Sequence, residues 1–127
     1  MSQEQDTKLG GMIDSGERTK FETGAIREIE QKIGRYDLIS PIGLRRLARW
    51  YQLGAEKYAD RNWEKGLPTS GCINSAFRHL IKYLMGMNDE DHLAAIAWNV
   101  FAVMHFEEVM PEMQDIPNRL QQKEKAQ

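Results

Sequence analysis

The chain predicts an all-α fold, with three main helices in a bundle completed by oligomerisation and a glycine-rich arm at the N-terminus. Three observations carry this expectation. Apolar residues recur at three- and four-residue spacing in three separate segments of the 127-residue chain. Each segment opens on a helix-starting pattern: Ser40-Pro41, Thr69-Ser70, and Asp89-Glu90-Asp91. No segment alternates apolar and polar side chains convincingly over strand length.

The arm covers residues 1–40 and holds Gly10, Gly11, Gly16, Gly24 and Gly34 without a sustained apolar period. It is expected to be partly ordered where Phe21, Ile26, Ile29 and Tyr36-Asp37-Leu38-Ile39 can dock, with a short helix near Ala25–Ile33. Residues 41–110 form the helical domain. Its first helix runs from about Pro41 to Tyr58, with Ser40 as N-cap and Pro41 in the first helical position. Leu44, Leu47, Ala48, Tyr51, Ala55 and Tyr58 share one face, and Arg45, Arg46, Arg49 and Gln52 lie opposite. A second helix, capped by Thr69 or Ser70, ends near Met85-Gly86. Ile73, Ala76, Phe77, Leu80, Ile81 and Leu84 make its apolar stripe, while Ser75, Arg78, His79 and Lys82 make another. The third helix begins around Asp89, where acids suit the positive helix end, and reaches about Val109 before Pro111. Leu93, Ile96, Ala97, Val100, Val103 and Met104 form its main apolar face, yet Trp98, Phe101 and Phe106 leave little polar surface. Three helices cannot cover such a segment, so a second copy of the chain is expected to do so. Residues 111–127 read as a polar tail, frayed from Pro117 onward.

Composition narrows the function. The net charge of −2 lacks the basic excess usual for DNA or RNA binding. Charge is unevenly placed, however. Between Ile42 and Lys65 six cations face three acids, whereas Asp89–Asp115 holds seven acids and neither Lys nor Arg. The basic stretch could receive phosphates, and the acidic one a divalent ion or a basic partner. The single cysteine, Cys72, excludes an internal disulfide and fits a reducing, cytoplasmic setting. No apolar run approaches the length of a membrane span.

Two places could carry chemistry. Lys57-Tyr58-Ala59-Asp60-Arg61-Asn62-Trp63 packs cations, an amide and two aromatic rings into seven residues. Cationic donors beside flat rings suit a ligand with an anionic and a planar part, such as a nucleotide; a helix C-terminus whose cations answer the macrodipole is the equal alternative. The second place depends on a helical hairpin around Gly86, which would let His79, Lys82, Asp91, His92 and Asn99 converge. His92 and Asn99 stand two turns apart on one face, with small Ala95 between them leaving room for approach. Imidazoles there could ligate a metal or move a proton. Each histidine taken singly is more readily a structural residue, and His105 is assigned to structure. Cys72 has no adjacent base to activate it, and Glu108, Glu112 and Asp115 are a weak chelating set because Pro111 breaks their register. There is no glycine-rich phosphate loop and no zinc-finger spacing.

The elements Phe21–Arg27, Gly34–Ile39, Leu44–Ala48, Gly54–Tyr58, Arg61-Asn62-Trp63, Ser75–Leu80 and Asp91–Asn99 resemble the phage-encoded dATP/dGTP diphosphohydrolase N-terminal domain proteins. The resemblance spans roughly residues 20 to 107. It implies kinship with MazG-like all-α nucleotide pyrophosphohydrolases, which are helical, oligomeric and magnesium-dependent and cut between the α and β phosphates. Such enzymes hold their metal with a Glu-x-x-Glu pair on one helix and a Glu-x-x-Asp pair on the next. In the helices where those pairs would align, this chain has Arg78, His79 and Lys82, then Asp91, His92, Ala95 and Asn99.

Three expectations follow. The first is a hydrolase of purine deoxynucleoside triphosphates using Mg2+ or Mn2+ in the cytoplasm of a phage host. Lys57, Arg61, Arg78 and Lys82 would hold phosphates, with Asn62 and Asn99 as further polar contacts. Tyr58 or Trp63 would stack the base. His79, Asp91 and His92 would be catalytic, with Asp91 and His92 as metal ligands. The second is a non-catalytic sponge that sequesters a host nucleotide signal and needs no metal. The third is a structural helical oligomer.

Overall fold

A computed structural model describes residues 18–28 and 33–120, and the chain divides into two units, 1–39 and 40–127. In the first unit, strand β1 (Arg18–Lys20) pairs antiparallel with β2 (Ile26–Glu28) in the register Arg18↔Glu28, Thr19↔Arg27 and Lys20↔Ile26. A five-residue loop, Phe21–Ala25, closes the hairpin: Gly24 N–H donates to the Phe21 carbonyl at 2.8 Å, and Phe21 N–H donates to that of Ala25 at 2.9 Å. Gly24 sits at φ +89°, the left-handed position such a loop requires. This corrects the short helix expected near Ala25–Ile33, because the Thr23-Gly24 turn sends the chain back as a strand. Residues 29–32 lie outside the described residues. A single 3-10 turn follows at Tyr36–Leu38, beside a two-point ion pair of Arg35 with Asp37 at 2.9 and 2.7 Å.

The second unit is helical. Helix α1 (Pro41–Lys57) starts as its sequence requires, with Pro41 at the first position and Ser40 Oγ accepting from Gly43 N–H at 3.0 Å. Helix α2 (Thr69–Leu84) has no cap from Thr69 or from the Ser70 side chain. Asp115, 45 residues away, caps it instead: one carboxylate oxygen accepts Ser70 N–H at 2.8 Å and the other accepts Ser70 Oγ–H at 2.6 Å. The same bonds place Asp115 in the folded unit. The tail residues Gln121–Lys125 lie outside the described residues. Helix α2 ends in a Schellman motif, where Met87 N–H reaches the Lys82 carbonyl and Gly86 N–H that of Tyr83, both at 3.0 Å. Gly86 at φ +78° makes that turn possible. Helix α3 (His92–Val109) begins one turn later than Asp89, with Asp91 as N-cap accepting from Ala94 N–H at 3.1 Å.

The three helices pack together, α2 and α3 most extensively as an antiparallel hairpin, with α1 laid on α3. The core gathers at one end. Cys72, Ala102 and Phe106 are buried at its centre, ringed by Trp63, Leu67, Val103, Met110 and Met113. Gly66, at φ +108°, passes so close that an added Cβ would stand 2.9 Å from both Met110 Cε and Met113 Sδ.

The faces in contact are not those with the largest apolar side chains. Helix α2 turns Cys72, Ser75 and His79 inward, while Phe77 (62 % exposed), Ile81 (56 %) and Leu84 (75 %) face outward. On α3, Ala94, Ala95, Asn99, Ala102 and Phe106 are buried, while Leu93, Val100 and Met104 are exposed. Only Leu47 is buried among the residues of the expected α1 face. Small side chains explain the choice: Cys72 and Ser75 opposite Ala95 and Ala102 let two helices approach more closely than Phe or Leu would. No helix among the described residues is long and apolar enough to cross a membrane.

Candidate functional site

At the end opposite the core, the α2–α3 hairpin brings His79 and His92 face to face. Their Nδ1 atoms are 2.9 Å apart, and the two residues are 8 % and 2 % exposed. His92 Nε2 lies 2.8 Å from Asp89 Oδ1. That carboxylate accepts, so His92 Nε2 carries the hydrogen and Nδ1 of the neutral ring keeps its lone pair. His79 Nδ1–H then donates to it, which leaves the lone pair of His79 on Nε2. Among the described residues no hydrogen bond engages that nitrogen, and no buried side-chain nitrogen or oxygen lacks a partner. His79 Nε2 therefore keeps some access to solvent, although the residue as a whole is only 8 % exposed. Asp89, His92 and His79 form a carboxylate–imidazole–imidazole chain that ends in a basic nitrogen.

Neighbours tune this chain. Burial pushes the His79 pKa down, opposed by the negative charge of Glu90 and assisted by His92, Arg78 and Lys82. The hydrogen bond from His92 holds the Asp89 carboxyl below the ordinary range. Trp50 of α1 sets its indole edge-on to the His79 ring, with centroids 5.9 Å apart. Arg46 of α1 grips Asp91 at two points, Nε to Oδ2 at 2.8 Å and Nη2 to Oδ1 at 2.6 Å. That pairing lowers the Asp91 pKa and raises that of Arg46.

Of the residues expected to converge, the hairpin unites His79 and His92 and sets Lys82 close enough to His79 to act on its charge. Asp91 lies next to them in sequence, but its carboxylate serves Arg46 and the start of α3. Asn99 is buried between the helices, its Nδ2 donating to the Ala95 carbonyl at 2.8 Å. The room foreseen at Ala95 is filled, because α2 packs against it and leaves it 0 % exposed. Asn99 does border a hollow of about 150 Å³ with Leu67, Pro68, Gly71 and Cys72, well under the ~300 Å³ at which small-molecule pockets begin.

The Lys57–Trp63 loop belongs to the other end of the unit. Trp63 is half-buried, with its ring centroid 4.8 Å from that of His105 and 6.1 Å from that of Phe106. It completes the core rim and presents no open stacking plate. His105 follows His92 on one straight helix, and at 1.5 Å per residue the two lie about 20 Å apart. Lys57 and Tyr58 lie about two helical turns beyond Trp50, the α1 residue that meets His79, and Arg61 and Asn62 sit beside Trp63 at the core end. Lys57 Nζ lies 5.2 Å from the centre of the exposed Tyr58 ring, and Arg61 pairs with Glu64. The backbone there is unusual: Ala59 and Arg61 hold φ of +145° and +58°.

Asp89, Glu90, Arg46 and Trp50 were not singled out for the site by sequence. Asp89 had a readable signal, since it precedes His92 by one helical turn. Glu90 stands with both histidines in the one His/Asp/Glu/Cys cluster of metal-ligand size among the described residues. Glu108, Glu112 and Asp115 make no such cluster, and Asp115 is engaged by Ser70. Magnesium, expected from the resemblance to MazG-like enzymes, wants several carboxylate oxygens at one point. Asp89 and Asp91 are bonded elsewhere and Glu90 alone remains, so these residues do not fit a resident magnesium ion.

Residues 23–116 match the family model described as dATP/dGTP diphosphohydrolase, N-terminal. The chain belongs to that family. The match covers all three helices of this dATP/dGTP diphosphohydrolase N-terminal domain, both histidines, and the Lys57–Trp63 loop. Neither the curated proteins nor the solved structures yield a match.

Proposed function

We propose that this domain binds a purine deoxynucleoside triphosphate and serves its hydrolysis, with His79 and His92 as the chemical centre. The observation that carries the reading is the Asp89–His92–His79 chain, which ends in an open, basic Nε2. In a diphosphohydrolase-related domain, such a nitrogen is placed to take a proton from water. The water oxygen bonds to the α-phosphorus, the bond to the bridging oxygen breaks, and pyrophosphate leaves with that electron pair. The water proton goes to His79 Nε2, and Asp89 stabilises the charge spread over the two rings. Arg78 and Lys82, on the helix that carries His79, supply positive charge for the phosphates. Magnesium would arrive with the substrate phosphates.

A second reading, a non-catalytic nucleotide sponge, draws on the missing carboxylate pairs: Asp89 and Asp91 are both held by protein partners. One experiment separates the two. The full chain is mixed with dGTP, dATP and cyclic dinucleotides, with and without Mg2+ or Mn2+, and then denatured. Release of deoxynucleoside monophosphate and pyrophosphate supports the hydrolase. Tight binding with recovery of intact nucleotide under every condition overturns it in favour of the sponge.

A further inference from the structure

We propose that His79, His92 and Glu90 form a binding site for one divalent transition-metal ion of the manganese, iron or cobalt class. The inference shares the histidines of the nucleotide reading but does not depend on it, and it describes a different state: with an ion on the two Nδ1 atoms, His79 Nε2 carries the hydrogen and is not the base that takes a proton from water. One ligand atom from each of the three residues lies within 4.8 Å of the others. The two imidazoles are buried and fixed by the hairpin, whereas exposed Glu90 can swing onto an ion held between them. Two nitrogens 2.9 Å apart, each about 2.1 Å from one ion, subtend about 90° there. A right angle suits octahedral coordination, and two imidazoles with one carboxylate on a single face are a set that such ions accept with three positions left open.

Asp89 adds an independent observation. Its bond to His92 Nε2 fixes the tautomer that leaves Nδ1 bare toward His79, which is how metal-ligating histidines are oriented by a carboxylate behind them. The proton balance closes within the pair. Without an ion, the hydrogen on His79 Nδ1 bridges the two rings. Ion binding moves that hydrogen to His79 Nε2, and both Nδ1 lone pairs turn to the metal. Neutral imidazoles bind softer ions without help from net negative charge, which suits a place where Arg78 and Lys82 stand near.

The test titrates the full chain with Co2+ and with Mn2+, read by calorimetry, by metal analysis after dialysis, and for cobalt by its visible absorption. The expected result is one ion per chain, retained against roughly a hundredfold excess of Mg2+, in the absence of any nucleotide. Glu90→Gln and Asp89→Asn should each weaken binding about tenfold, and the double variant His79→Ala/His92→Ala should abolish it. Glu90 is exposed, so its variant keeps the fold and remains informative even where the double histidine variant does not. No binding by the wild-type chain overturns the proposal, as does unchanged affinity in Glu90→Gln or in a folded double variant. Absence of nucleotide turnover leaves the ion measurement untouched, so the two readings fail separately.

Discussion

At the scale of single residues, two positions make the sharpest statements. His79 is buried, is hydrogen-bonded to a second imidazole, and ends in an open nitrogen. On the hydrolase reading, His79→Ala should lose turnover about a hundredfold or more while nucleotide binding changes little, because proton transfer acts in the transition state. Lys82→Ala should raise the dissociation constant about tenfold, near 1.4 kcal/mol. Arg61→Ala should change it little, since Arg61 pairs with Glu64 at the far end of the unit. Calorimetry and a pyrophosphate-release assay on the three variants check this, and a larger effect at Arg61 than at Lys82 would move the phosphate site to the loop. The loop records its own strain at Ala59, whose φ of +145° is a region that glycine enters freely. Ala59→Gly should therefore raise stability by roughly 1 kcal/mol, the order of strain stored by such residues, and thermal melts read it directly. The histidine pair was legible in sequence because Gly86 marks a turn between two periodic segments. The Arg46–Asp91 pair was not, since nothing local links residues 45 positions apart.

At the scale of elements, caps and turns were legible where their partners are local and illegible where they are distant. Ser40-Pro41 announced α1 because its cap reaches only to Gly43. Thr69 and Ser70 suggested a local cap for α2, yet Asp115 does the work across 45 residues. That bond has a pH signature. Accepting from Ser70 lowers the Asp115 pKa, so the folded state binds this proton less readily than the unfolded chain does. The stabilisation is present above the ordinary carboxylate value and is lost as pH falls through the lowered one. Asp115→Ala should thus melt several degrees below wild type at neutral pH, and the two curves should converge in strong acid. Parallel melts at pH 7 and near pH 2.5 check the sign; a gap that persists in acid would show that the carboxylate charge is not its source. Which face of each helix would be buried was the least legible feature. Periodicity located Phe77, Leu80, Ile81 and Leu84 on one stripe, but residue size decided the packing, and the smaller stripe of Cys72 and Ser75 won.

At the scale of the whole molecule, that inversion has a consequence. A single chain leaves Phe77, Leu80, Ile81 and Leu84 of α2 exposed, together with Leu93, Val100, Phe101 and Met104 of α3. Monomeric soluble proteins rarely leave so many large apolar side chains open on neighbouring helices. A second copy presents the same unsatisfied stripes, and a two-fold axis would set like against like in a self-complementary interface. The expected assembly is therefore a homodimer or a higher even-numbered oligomer. Burial there would restore the ordinary logic of the apolar stripes: α2 and α3 would have one close-packed face toward each other and one broad face toward the partner. Light scattering should report at least twice the chain mass at micromolar concentration. Phe77→Asp with Ile81→Asp should shift the protein to monomer or unfold it, because each would otherwise place a charge inside an apolar contact. The same pair in a monomer would lie on a largely open face and would raise solubility with little change in melting temperature. A wild-type chain that scatters as a monomer, and whose melting the double variant does not alter, would show that these stripes face solvent in the native state.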